Sequence, residues 1–302
     1  MEAYLALDAG GTVIKSAVLD ENGFPLFPIR QYPARSEESA SVILSNLSHV
    51  AEEGLSRCRQ AGFRPAGMGV AFPGPFDYTA GISRIRGIGK YDSIYGLSLK
   101  EYLAGLPDLR GLPLFFANDA DLFCLGECLT GKGRGYRRVM LACIGTGIGS
   151  GFVADGRLIK KGDGVPAEGW IYSIPYKDSI LDAWLSASGI RRMIQESGAF
   201  PAGVDVKELA AYARGGHAAA QKIFTAFADM LAEALPPFVS AFEAEALILG
   251  GQVARSAELF SGPLAQRLAQ TGVALHISDD SALSAMRAVP LLFQGKAAYP
   301  YL

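Results

Sequence analysis

The chain is poor in the residues that bind metals or cross-link folds: four cysteines and three histidines in 302 residues. Cys58, Cys124, Cys128 and Cys143 lie scattered in apolar or helical patterns, and no C-x-x-C pair exists. They read as reduced, buried thiols, which predicts a cytoplasmic protein rather than a disulfide scaffold. A structural zinc site needs four thiolate or imidazole ligands at short spacing, so none is expected. A basic excess is also missing: 28 Lys and Arg against 30 Asp and Glu give a net charge of −2. That balance argues against a nucleic-acid partner. The first residues lack the basic segment and apolar core of a secretion signal. No apolar run reads as long enough to span a bilayer, so no membrane partner is expected.

What is present is an α/β chain with an internal echo. The length and the half share of apolar residues predict two domains with sizeable cores. Tyr4-Leu5-Ala6-Leu7-Asp8 reads as a strand and leads into Ala9-Gly10-Gly11-Thr12. A second strand over 13–19, a turn at Asp20-Glu21-Asn22-Gly23 and a short third strand over 24–27 follow. The pattern returns later: a strand over 139–144, the loop Gly145-Thr146-Gly147-Ile148-Gly149, a strand over 150–154, a turn at Asp155-Gly156, and a strand over 157–159. The Asn-Gly and Asp-Gly pairs are hairpin signals. Between the copies, apolar spacing predicts a helix over 39–61. A strand over 68–72 ends at Pro73-Gly74-Pro75, and another over 114–117 runs into Asn118-Asp119 and an apolar helix. A buried strand over 246–249 ends in Gly250-Gly251, and 224–242 reads mainly as helix, broken near Pro236-Pro237. No low-complexity linker separates the halves, which predicts a tight hinge and a central cleft.

The loops carry the candidate chemistry. Glycines let backbone approach a phosphate, and successive N–H groups in such a turn form an anion-binding concavity. Asp8 offers a carboxylate for hydrated Mg²⁺. Gly10-Gly11-Thr12 alone is equally a plain hairpin turn, and Lys15, within reach of a phosphate, reads rather as a solvated strand lysine. Gly145 to Gly149 is no Walker loop, because no Gly-Lys-Ser/Thr follows. Two such loops, one per half, suit a triphosphate. Asn118 and Asp119 stand at a strand's carboxyl end, where open α/β sheets place ligands. A carboxylate there can take a proton from an acceptor hydroxyl, and Asn118 can bond sugar hydroxyls. Both residues also suit a helix N-cap.

Taken as an ordered set, Asp8-Ala9-Gly10-Gly11-Thr12, Pro73-Gly74-Pro75-Phe76-Asp77, Asn118-Asp119-Ala120, Gly145 to Gly149, Glu168, Leu181-Asp182 and Leu249-Gly250-Gly251 resemble the ROK family of sugar kinases and repressors. The resemblance implies two ribonuclease-H-like (actin/hexokinase-like) domains around a central cleft. They are expected at 1–117, with a returning segment at about 284–302, and at 118–283. It implies ATP with Mg²⁺, a small-molecule sugar substrate and a homodimer. Asp8 (as a magnesium ligand through water), Gly10, Gly11 and Thr12 match the first phosphate motif. Gly145, Thr146, Gly147 and Gly149 match the second, and Gly250 and Gly251 the adenosine motif. Asp119 matches the catalytic base, and Gly74, Asn118, Glu168 and Asp182 match sugar binding.

The departures from the family are local. Gly169-Trp170-Ile171 replaces the expected Ile-Gly-His, and the zinc-binding cysteines before Asp182 are missing. Asp182 is one methylene shorter than the usual Glu. Arg86-Gly87-Ile88-Gly89-Lys90-Tyr91 replaces an Asn-rich stretch. Apolar packing by Trp170, Tyr172, Tyr176 and Trp184 is expected to hold Glu168 and Asp182 in place of the metal. The reading is an ATP-dependent kinase of the glucokinase, N-acetylhexosamine kinase or β-glucoside kinase type. A repressor of the family carries a DNA-binding domain before the first phosphate motif, where only seven residues stand here. A catalytically idle sugar sensor is the alternative, and it is expected to lose Asp119 or the phosphate loops.

Overall fold

In a computed structural model, residues 1–162 and 164–301 are described, and they divide into two compact units. The first comprises Met1–Thr130 and Ala282–Leu302, and the second Gly131–Ser281. The division after residue 130 lies beyond the boundary expected at 117/118. The helix following Asn118 packs back on the strands of the first unit, which keeps it there.

The first unit opens with β1 (Glu2–Ala9), β2 (Val13–Leu19) and β3 (Arg30–Pro33), an antiparallel meander. The third strand therefore lies later than the expected 24–27. Pro25 and Pro28 lack backbone N–H donors, so that segment cannot sustain a ladder. A single bridge joins Leu19 to Pro25, and Phe24 is exposed. Helix α1 (Ala40–Gln60) follows, burying Ile43, Leu47, Val50, Ala51, Leu55 and Cys58. Their spacing of three or four residues makes one apolar face, which covers β1, β2 and β4. Strand β4 (Arg64–Phe72) runs parallel to β1. A small hairpin, β5 (Phe76–Asp77) and β6 (Ile82–Ser83), and α2 (Leu99–Ala104) lead to β7 (Leu114–Asn118), parallel to β4. Helix α3 (Asp119–Thr130) begins at once. The sheet order is β3-β2-β1-β4-β7.

The second unit repeats this plan. β8 (Arg138–Ile144), β9 (Ile148–Ala154) and β10 (Arg157–Leu158) form an antiparallel meander. The hairpin of β11 (Pro175–Tyr176) and β12 (Ser179–Ile180) precedes α4 (Leu181–Trp184) and α5 (Ala187–Ser197). Helices α6 (Val206–Arg214), α7 (Ala218–Ala234) and α8 (Pro236–Ala241) then pack into one core. β13 (Ala246–Gly250) joins β8 in parallel, α9 (Ser261–Ala269) crosses over, and β14 (Ala274–Ile277) pairs with β13. The order β10-β9-β8-β13-β14 matches the first sheet strand for strand.

The stretch Ala218–Ala241 is long and apolar enough, by length and composition, to cross a membrane, contrary to the sequence expectation. Over half of its most apolar window is buried within the protein. Phe227 packs edge-on against Phe260, and Phe224 stacks on the same ring, as in a core helix. Finally α10 (Ser281–Phe293) returns to the first sheet. A side chain at Gly67 of β4 would meet the Phe293 ring at 2.6 Å, so the glycine admits the helix.

Candidate active site

In the first unit the parallel register levels three strand ends. Asp8 pairs with Ala71, Ala71 with Ala117, and Phe72 with Asn118. The Gly10–Thr12 turn, Gly74 and Asn118-Asp119 thus share one edge of the sheet. Asp8 is half-buried and Thr12 exposed there. The turn is held from outside: the Tyr91 hydroxyl donates to Gly10 O at 2.9 Å, and the Ser36 hydroxyl to Gly11 O. Ala34 N donates to Thr12 O at 2.9 Å. With these carbonyls engaged, the orientation of the turn is fixed. Burial raises the Tyr91 phenol above its ordinary pKa, helped by the charge of Asp8, so it remains a donor.

Asn118 is constrained on every side. Its Nδ2 donates to the Tyr78 hydroxyl at 3.0 Å, and its Oδ1 caps α3 by accepting from Asp121 N at 3.2 Å. Its own N–H donates to the Tyr299 hydroxyl at 2.9 Å, which donates to Asp121 at 3.3 Å. Tyr78 in turn donates to Phe72 O at 3.1 Å. Gly74 follows from this packing, since a side chain there would meet the Tyr78 hydroxyl at 3.3 Å and Asn118 Nδ2 at 4.0 Å. The Gly74–Pro75 peptide is cis. Asp119, first residue of α3, accepts from Ala120 N at 2.8 Å. It retains solvent exposure, yet desolvation by the protein around the carboxyl raises its pKa; the Ala120 bond opposes the rise. Asn118 is thus a cap as well as a candidate ligand, and Asp119 a free-edged carboxylate beside it.

The second unit brings its loops together in the same way. Gly250 is level with Cys143, and a side chain on Gly251 would strike the Ile144 carbonyl. Gly251 lies in the left-handed region, with its N–H bonded to Ser281 Oγ at 2.8 Å. The Gly145–Gly149 turn is gripped by the segment at 182–188. Ala187 N donates to Gly145 O at 2.8 Å, and Ser188 Oγ to Thr146 O at 2.9 Å. Asp182 Oδ1 accepts from Ile148 N at 2.7 Å. Asp182, expected as a sugar ligand, lies against the Gly145–Gly149 turn, and a side chain on Gly147 would meet its Oδ1 at 2.5 Å.

Glu168 sits in a short 3₁₀ turn (Ala167–Gly169) with φ of 57°. A non-glycine residue in the left-handed region costs on the order of 1 kcal/mol, which the surrounding contacts must offset. Buried Ser150, next after the Gly145–Gly149 turn, fixes the Glu168 turn: it donates to Gly169 O at 2.7 Å and accepts from Ile171 N at 3.0 Å. Glu168 itself is exposed. Of the aromatic residues expected to hold Glu168 and Asp182, Tyr176 and Trp184 pack against the core of the second unit. Trp170 packs on Tyr172, Tyr176 donates to Glu233 at 2.9 Å, and Trp184 lies between Lys177 and Arg192. Hydrogen bonds from the neighbouring strand and loop also hold the Glu168 turn and Asp182. Among the described residues no group of three or more His, Cys, Asp or Glu is placed to hold a metal ion.

Two sheets of identical order, each with a glycine turn after its first strand, define a duplicated α/β protein of the hexokinase fold. Residues 4–274 match the ROK family, and the chain belongs to it. It is 28% identical over 284 residues to a glucokinase of Thermotoga maritima, with 87% of this chain and 86% of that protein covered. It is 23% identical over 274 residues to an N-acetylgalactosamine kinase of a Shewanella species, covering 85% and 84%. Among solved structures it is similar to a ROK glucokinase of Streptomyces griseus in complex with glucose and AMPPNP. That match has a TM-score of 0.77 at 21% identity, over 97% of this chain and all of that one.

Proposed function

We propose that this chain is an ATP-dependent sugar kinase, with Asp119 as general base. The observation that carries the reading is the levelled edge of the first sheet, which sets the Gly10–Thr12 turn, Gly74 and Asn118-Asp119 side by side. Phosphoryl transfer asks a protein mainly for positioning and charge neutralisation. The sugar oxygen attacks the γ-phosphorus, its proton passes to Asp119, and the bond to the β,γ-bridging oxygen breaks to release ADP. The raised pKa of Asp119 suits proton uptake. The glycine turns supply backbone N–H groups for phosphate oxygens. Gly251 packs its backbone against that of Ile144, and with Gly250 it is our candidate for the adenosine contact beside the second turn. Asp8 offers a hard carboxylate oxygen at the end of β1, which fits a hydrated Mg²⁺. Bound with ATP, the ion would neutralise phosphate charge.

The names of the relatives support a hexose or N-acetylhexosamine as acceptor. Glu168, held in a left-handed turn, is our candidate residue for binding sugar hydroxyls. We assign the protein to the cytoplasm, in keeping with four cysteines none of which forms a disulfide. ADP release measured across glucose, N-acetylglucosamine, N-acetylgalactosamine, N-acetylmannosamine and fructose tests the reading. Sugar-dependent release supports it. Sugar binding without release would instead identify an idle sensor.

A further inference from the structure

The segment Arg86–Tyr91 departs from the family pattern, and its placement gives it a use. Its end is locked to the first glycine turn. Tyr91 is 1% exposed and left-handed at φ 61°; its N–H donates to Ser36 O at 2.6 Å and its hydroxyl to Gly10 O. The preceding bend is shaped by Asp92, whose carboxylate accepts from Gly89 N at 3.1 Å and Ile88 N at 3.3 Å. Gly87 and Gly89 supply the positive φ that this bend demands. Between two fixed points, Lys90 has little freedom in where it projects. Its side chain crosses Gly11: a methyl group there would come 2.6 Å from Lys90 Cδ and 3.3 Å from Nζ. The lysine chain thus lies directly over Gly11, in the space a side chain there would occupy. Lys90 is half-buried, and among the described residues no carboxylate pairs with its ammonium.

We propose that Lys90 is a catalytic residue that binds the γ-phosphoryl group of ATP at the Gly10–Thr12 turn and offsets the charge on its oxygens during transfer. The proposal rests on the kinase reading and deepens it. A compact ammonium on a flexible stem suits a phosphate as a point charge. The charge it meets is spread over the three equatorial oxygens as the bond to ADP loosens. Lys90 takes no proton in this step; Asp119 does.

The test compares wild type, Lys90→Met and Lys90→Arg, with folding checked by thermal melting, in turnover and in nucleotide binding. Lys90→Met is expected to lower kcat/KM for ATP by roughly 10²–10³-fold, the loss typical of one charge-stabilising donor. Calorimetry with Mg²⁺ should show weaker binding of AMPPNP and unchanged binding of ADP, because only the former carries a γ-group. Lys90→Arg should recover part of both. Wild-type turnover in a folded Lys90→Met protein would overturn the proposal. So would an equal loss of AMPPNP and ADP affinity, which would mark a merely structural lysine. A wild-type chain that phosphorylates no sugar, yet prefers AMPPNP to ADP through Lys90, would overturn the kinase reading and support the lysine assignment.

Discussion

At the residue scale two carboxylates stand in different surroundings, and the proposed function gives each its own test. The protein around the Asp119 carboxyl raises its pKa above the ordinary aspartate value of about 3.9, against the bond from Ala120 N, while the residue keeps an edge open to solvent. A general base works deprotonated, so activity is lost as pH falls through the raised pKa. The acid limb of kcat/KM against pH should therefore lie above that ordinary value. Asp119→Asn should remove the limb and cost roughly 10²–10⁴-fold in turnover, with nucleotide binding retained. An unchanged profile in the variant would assign the proton to another group. Asp182 is bonded to Ile148 N in the second glycine turn. Asp182→Ala leaves that donor without its partner, at a cost of about 1–3 kcal/mol. The Michaelis constant for ATP should then rise on the order of tenfold, and Asp182→Asn, which keeps an acceptor oxygen, should rise less. A defect confined to the sugar would return Asp182 to the role its position in the motif suggested.

At the element scale the first unit is closed by the crossing of α3 and α10. Gly126 on α3 lies against the backbone of Ser284, with no room for a side chain. The Ser284 hydroxyl donates to Glu127 at 2.7 Å within the same buried contact. Because α3 begins at Asp119, its tilt sets where that carboxylate stands. Gly126→Ala should force the helices apart and destabilise by about 1–3 kcal/mol. Thermal melting should fall, and turnover should fall with it more than nucleotide affinity does. Melting unchanged from wild type would mean that the crossing yields without strain.

For the whole molecule, the repeated strand order gives each unit a glycine turn at the same edge of its sheet. One turn follows a carboxylate, Asp8, and the other is shaped by one, Asp182. Chelation of Mg²⁺ should therefore abolish ADP release, and added Mg²⁺ should restore it. A zinc-selective chelator, with Mg²⁺ in excess, should leave both melting and activity unchanged. Elemental analysis that found stoichiometric zinc, with unfolding on its removal, would contradict the hydrogen-bonded anchoring of Glu168 and Asp182.

The sequence by itself determined the repeated strand–turn–strand units, the two glycine turns and the Asn118-Asp119 strand end. Each is local: a run of apolar residues, then glycines or a cap, within a dozen positions. The edge strand β14, whose four residues are all half-buried, gave no comparable signal. The third strand was displaced by prolines whose missing N–H groups matter only once a partner strand is in place. Only the tertiary structure set Tyr91 and Lys90 on the first turn, Tyr78 and Tyr299 on Asn118, and Ser150 under the Glu168 turn. It also turned Asp182 toward a backbone N–H instead of leaving it pointed by motif alone. These partners are up to 181 residues apart. Their meeting depends on sheet register and on the return of α10, which no periodicity in the chain encodes.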